Sequence, residues 1–245
     1  MRAVFNILYV VALLFIFSGA GYSNFTNRGE VSIRFHHFVN NDRLILDSSV
    51  YHNRTGQEFT ISKFKYYVGH IELVAKNGFV FRAKNYFLIN EEEPISKNIH
   101  VPNVPSAEYV TLNFSLGVDS IDNCSGAQSG ALDPVNGMFW TWNSGYIFLK
   151  LDGKSPASSA PGHIFEYHIG GYKKPANCIR HISIHFTEPL VVRNGSTCAL
   201  DVVADAMKIM DGQTNIDFKT LPVVSDNKHA EEIANNYAGM FRLKN

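Results

Sequence analysis

The sequence lacks the short signatures by which common hydrolases and transferases are recognised. It contains no GxSxG elbow, no HExxH, no phosphate-cradling loop ending in Gly-Lys-Ser/Thr and no GxGxxG. GAQSG at 126–130 carries its serine one place too late to be a nucleophile elbow. A conventional enzyme is therefore not expected. Net charge is missing as well, since Lys+Arg and Asp+Glu are equal at 22 each. With no basic field to gather phosphates, nucleic acid is not an expected partner. Cysteine is scarce, three in all and with no CxxC, which argues against a zinc-ribbon or dithiol redox site. There is no internal repeat, and the longest linker-like piece is the Ser/Pro/Ala/Gly stretch at 155–162.

One long apolar run is present, at the start. Met1-Arg2 supplies positive charge, residues 4–17 are almost wholly apolar, and Ser18, Gly19, Ala20, Gly21 and Ser23 follow as small residues. This reads as a secretory signal peptide over 1–22, because the run falls short of the ~20 residues a spanning helix needs. No cysteine stands at the junction for lipid attachment, and no later segment is apolar enough to cross a membrane. The expected product is a periplasmic or secreted protein, residues 23–245, with enough chain for one domain around a large core. In such a compartment cysteines can pair. Three allow at most one internal bridge, for which Cys124 with Cys178 is the preferred pair, because a simple hairpin would not set Cys178 opposite Cys198. N-x-S/T sequons stand at Asn24, Asn53, Asn113, Asn123 and Asn194, and matter only in a host that glycosylates exported chains.

Hydrophobic alternation predicts mostly strands. Val31, Ile33 and Phe35 alternate with Ser32, Arg34 and His36, and Phe64, Tyr66 and Val68 alternate with Lys65, Tyr67 and Gly69. Further strands are expected over 78–89, 108–116, 146–151, 163–169, 179–186 and 198–210, and one helix over 228–240, capped by Ser225-Asp226. The expected fold is all-β: a single β-sandwich domain with long loops and a short C-terminal helix.

The most distinctive sequence is GMFWTWNSGYIFLKLDG at 137–153, followed by FEYHIGG at 165–171. An extended chain would put Trp140 and Trp142 on one face with Met138 and Ser144, until Asn143, Ser144 and Gly145 interrupt the pattern. That reads as core with a site on its edge. Acids in LDP at 132–134 and LDG at 151–153 read as turn residues. Histidine is the residue type left to carry chemistry, with ten in the chain, and imidazole suits copper, zinc and nickel. His168 precedes Gly170 and Gly171, which leave backbone room for a close contact. His37 shares a strand face with Val31, Ile33 and Phe35, while His36 points the other way; His70 follows Tyr66 and Val68. His181 and His185 share one face of a half-exposed strand.

These segments, with ISKFKYYVGHIEL (61–73), SLGVD (115–119), SGALDPVNGMFW (129–140) and NNYAGMF (235–241), resemble the MbnP-like family of periplasmic copper-binding β-proteins, over nearly all of the chain after the leader. The resemblance implies copper held by histidines. His168 matches the motif histidine, and His37 and His70 are further candidate ligands. It also implies a tryptophan, Trp140 or Trp142, oxidised to kynurenine by a di-haem partner enzyme related to MauG. The alternative is a metal-free β-sandwich interaction or surface module in which the same aromatics are core.

Overall fold

The computed structural model describes residues 27–140, 145–174, 176–225 and 227–244, with backbone alone for Asn227 and Lys228. The leader and Asp226 of the expected cap lie outside these residues. The first strand, β1 (Arg28–Val39), buries Val31, Ile33, Phe35, His37 and Val39 and turns Arg34 and His36 outward, as its alternation requires. It lies in a five-stranded sheet. Along one side it pairs in parallel with residues 197–205, and along the other with the antiparallel strand Asn98–Pro105 and the short Asp42–Arg43. The strand Phe241–Leu243 extends the sheet beyond residues 197–205.

The second, ten-stranded sheet is built on β2 (Glu58–Ala75). One edge of β2 pairs first with β4 (Gly145–Lys154) and then with β3 (Ala107–Leu116). Outside these run β5 (Ile164–Gly170), beside β4, and β6 (Arg180–Val192), beside β3. The sheets face each other across an aromatic core. Phe35 meets Tyr66, Phe114 and Phe241 edge-on at ring-centroid distances of 6.1, 6.1 and 6.2 Å, the arrangement that ring quadrupoles favour. The expected all-β sandwich with a short C-terminal helix is the observed fold, the helix being Asn227–Tyr237.

The outer face of the large sheet is half covered. After β3 the chain forms a short helix, α1 (Ser120–Cys124), and two 3₁₀ turns, Gly130–Leu132 and Pro134–Asn136. Asp119 caps α1 by accepting from the Ile121 and Asp122 N–H groups. This segment is pinned to β4: the Tyr146 N–H donates to Asn123 Oδ1 at 3.0 Å, and the Tyr146 hydroxyl donates to the Leu132 carbonyl at 2.8 Å. The cover leaves off at Gly137, Met138 and Trp140, and beyond it the face is open.

Several expectations are corrected. Residues 78–89 form two strands, Val80–Ala83 and Phe87–Asn90, rather than one. The strand expected over 198–210 runs from Thr197 to Asp205; there the Asp205 carboxylate accepts from the Met207 N–H and the chain turns into the helix Met207–Met210. Asn98–Pro105, not anticipated at all, is hidden by its prolines, which an edge strand tolerates. The Cys124–Cys178 bridge is not formed, and all three thiols are free. Cys124 is exposed at the end of α1, where its thiol donates to the Tyr172 hydroxyl at 3.4 Å, whereas Cys178 is fully buried and burial pushes its pKa up to about 12. Native thiol labelling should therefore modify Cys124 within minutes and Cys178 only on unfolding. Equal rates at the two would contradict this packing.

Candidate metal centre

Strands β4 and β5 pair antiparallel with Lys150 opposite His168 and Asp152 opposite Glu166. Their alternation sends Leu149, Leu151, Phe165, Tyr167 and Ile169 into the core, so Lys150, Asp152, Glu166 and His168 share the outer face. His168 Nε2 lies 2.8 Å from Asp152 Oδ1, and both side chains are largely sheltered, at 21% and 15% exposed. One ligand atom each from Asp152, Glu166 and His168 fall within 4.8 Å of one another, and among the described residues this is the one such trio of His, Cys, Asp or Glu.

Lysines stand around the trio. Lys63 on β2 is opposite Asp152, and Lys65 is opposite Lys150. The Lys150 ammonium donates to the Gly137 carbonyl at 2.6 Å, at the end of the cover, and burial pulls its pKa down. Lys65 is paired with Glu92 at 3.2 Å.

Trp140 reaches the same face. Gly170 follows His168 by two residues, about 6.5 Å along the strand. A Cβ there would stand 2.4 Å from the Tyr146 carbonyl oxygen and 2.6 Å from Cζ3 of Trp140, so the indole lies directly on the Gly170 backbone. The room expected at Gly170 is thus occupied by the tryptophan of the motif. Gly171, at φ +120°, lets the Ala176 carbonyl approach in the same way. Trp142 lies outside the described residues.

The other candidate ligands are elsewhere. His37 projects from β1 of the smaller sheet onto the inner face of the large sheet, with Nδ1 2.7 Å from Glu91 Oε2 and Nε2 2.9 Å from the Tyr66 hydroxyl. Tyr66 pairs with the inward Leu149 of β4, so His37 and His168 face opposite sides of that sheet. His70 sits at a register shift in β2 with φ +49°, exposed, its Nε2 3.0 Å from the Tyr86 hydroxyl and 3.1 Å from Asp119 Oδ2. The structure brings His168 together with two carboxylates, not with His37 or His70. The reading of LDG as a turn is overturned, because Asp152 lies within β4 and reaches His168. Glu166 escaped notice too, although Glu166-x-His168 in an alternating strand already puts a carboxylate and an imidazole on one face.

The MbnP family model matches residues 28–229. The chain belongs to the MbnP family. All of His37, His70, Trp140, Asp152, Glu166 and His168 fall within the matched span. Among solved structures, MbnP from Methylosinus trichosporium is similar with a TM-score of 0.51 at 14% identity, covering 81% of this chain and 81% of that one. At that identity the likeness concerns the MbnP fold alone. No curated protein sequence matches the chain. Among the described residues no helix is long and apolar enough to cross a membrane.

One imidazole nitrogen and two carboxylate oxygens form a donor set without sulfur. Imidazole suits copper and zinc, and carboxylates favour the harder divalent ions. Asp152, Glu166 and His168 therefore offer donor types that a divalent transition metal takes.

Proposed function

We propose that this chain is an exported copper-binding protein that captures or carries the metal through His168 and performs no turnover. Membership in the MbnP family supports a metal-related role. The observation that carries the reading is that the motif histidine, with Asp152 and Glu166 beside it, and the motif tryptophan Trp140, resting on Gly170 two residues further along, lie on one face of one sheet. Copper is the cargo, and export follows from the leader at 1–22. Oxidation of Trp140 or Trp142 to kynurenine by a MauG-like di-haem partner adds an amine and a carbonyl to an otherwise apolar ring, in the case of Trp140 on the face that carries His168. His37 and His70 belong to other hydrogen-bonded sites and enter this reading only as ligands of separate or weaker binding.

The test is metal analysis with peptide mass spectrometry on protein purified from its own host, comparing wild type with His168→Ala. The expected result is stoichiometric copper that the variant loses, with a tryptophan peptide carrying the mass of kynurenine. Metal-free wild-type protein with both tryptophans intact would sink the proposal.

A further inference from the structure

Along one side of β1 the pairing is broken. The strand Asn98–Pro105 leaves off at Arg34, opposite Asn98, and Asp42–Arg43 begins at Phe38, opposite Arg43, so among the described residues no strand partners Phe35, His36 or His37 on that side. The Leu44 N–H donates to the His37 carbonyl at 3.0 Å, so the peptide groups of the odd-numbered residues, Phe35 among them, turn toward this gap. The 3₁₀ turn Pro94–Lys97 stands beside it, and the result is a cavity of about 610 Å³, within the size range of small-molecule sites.

The charge of this cavity is one-sided. Arg34, Arg43, Lys97 and Lys244 line it, against one carboxylate, that of Glu91. Glu91 Oε2 is already shared by His37 Nδ1 and the Lys97 ammonium, each at 2.7 Å. Arg34 and His36 are held by Asp201, each at 2.5 Å. Arg43 and Lys244 differ from these, because among the described residues neither side chain makes a hydrogen bond or ion pair. The acids next in sequence to the lining, Asp42, Glu92 and Glu93, are not part of it, and Glu92 is taken by Lys65 at 3.2 Å. In a chain with 22 residues of each sign, such a local excess belongs to the cavity and not to the surface as a whole.

We infer that the cavity binds a small organic anion, its carboxylate or phosphate drawn by Arg43 and Lys244, the two cations without a partner, and its apolar body lying against Phe38 and Pro94. Arginine offers a planar fork that matches either group with two parallel bonds, and lysine a compact charge. The site uses neither His168 nor Trp140, so its failure would leave the copper reading untouched.

The experiment is calorimetric titration of the purified protein at low ionic strength with phenyl phosphate, benzoate and inorganic phosphate, for wild type, Arg43→Gln, Lys244→Gln and Lys76→Gln. Lys76, paired with Glu108 outside the cavity, is the control. Neither Arg43 nor Lys244 has an internal partner to lose, so both variants should fold as wild type does, which circular dichroism checks. Wild type is expected to bind one equivalent of phenyl phosphate or of benzoate, and whichever of the two binds more tightly names the anionic group. Arg43→Gln and Lys244→Gln should each weaken that binding by about 10-fold or more, the worth of one charge-assisted hydrogen bond, and Lys76→Gln should leave it unchanged. Added salt should weaken it in wild type. Absence of saturable binding for all three probes would overturn the site. An equal loss in Lys76→Gln would overturn it too, by reducing it to diffuse surface charge. Inorganic phosphate bound as tightly as phenyl phosphate would overturn the organic ligand, because Phe38 and Pro94 would then contribute nothing.

Discussion

Gly170→Ala should lower the stability of the folded protein by about 2–4 kcal/mol, a fall in Tm of roughly 5–15 °C for a domain of this size. The added methyl would stand 2.4 Å from a backbone oxygen, that of Tyr146, which cannot move without shifting β4. It would also stand 2.6 Å from the Trp140 ring. Against this strain the unfolded chain loses some freedom when glycine becomes alanine, worth about 0.4–1 kcal/mol in the opposite direction, so the net effect stays large. Gly239→Ala is the control, because a methyl there meets nothing nearer than 3.6 Å. Displacement of the indole should also appear as a red-shifted Trp140 emission, read in a Trp142→Phe background. A variant as stable as wild type with unchanged emission would mean that Trp140 does not rest on Gly170.

His37→Leu should cost about 3–5 kcal/mol at neutral pH, because it leaves two buried groups without their partner. The imidazole packs on Phe64 at a centroid distance of 4.7 Å while bonding Glu91 and the Tyr66 hydroxyl, and Glu91, 12% exposed, also accepts from Lys97 at 2.7 Å. Burial pushes the His37 pKa below its ordinary 6.5, against the pull of Glu91. Burial alone would raise Glu91, but hydrogen bonds from His37 and Lys97 outweigh it and hold the carboxyl below 4.5. The two shifts act in the same direction. For His37 the unfolded chain takes up the proton more readily, so stability is full above about pH 6.5 and is lost as pH falls through the lower folded value. Glu91 adds a second loss of the same sign as pH falls below about 4.5. Urea unfolding at pH 7.5 and 5.5 should show a smaller drop for His37→Leu than for wild type. An equal drop in both proteins would remove His37 as the source of the acid sensitivity.

Much of this arrangement was legible because one buried face imposes a period of two on a strand. Val31 to Val39, Phe64 to Tyr66 and Phe165 to Ile169 all declare their inward side that way, and the opposite orientations of His36 and His37 follow from it. What stayed hidden depended on neighbours distant in sequence. Asp152-Gly153 looks like a turn because glycine commonly marks one. Here the glycine has another cause: a Cβ at 153 would stand 2.0 Å from the Thr60 carbonyl oxygen and 2.5 Å from the Phe165 ring, at a register shift between β4 and β2. The strand therefore continues through Gly153 and delivers Asp152 to the outer face. In the same way, nothing local to Trp140 announces that its ring will lie on Gly170, because that contact needs both β4 and β5 in place.

The parallel pairing of β1 with residues 197–205 bears on how the chain comes to be folded. Arg34 and Asp201, joined across that pairing, are 167 residues apart in sequence. Closing so long a loop is slow, because its entropy is lost before the contacts that reward it can form. The row from Val31 to Phe35 cannot complete its sheet until the segment from Thr197 onward has been synthesised. Until then one edge of β1 stays unpaired, and a chain truncated before Thr197 should aggregate through that edge instead of forming a smaller native domain.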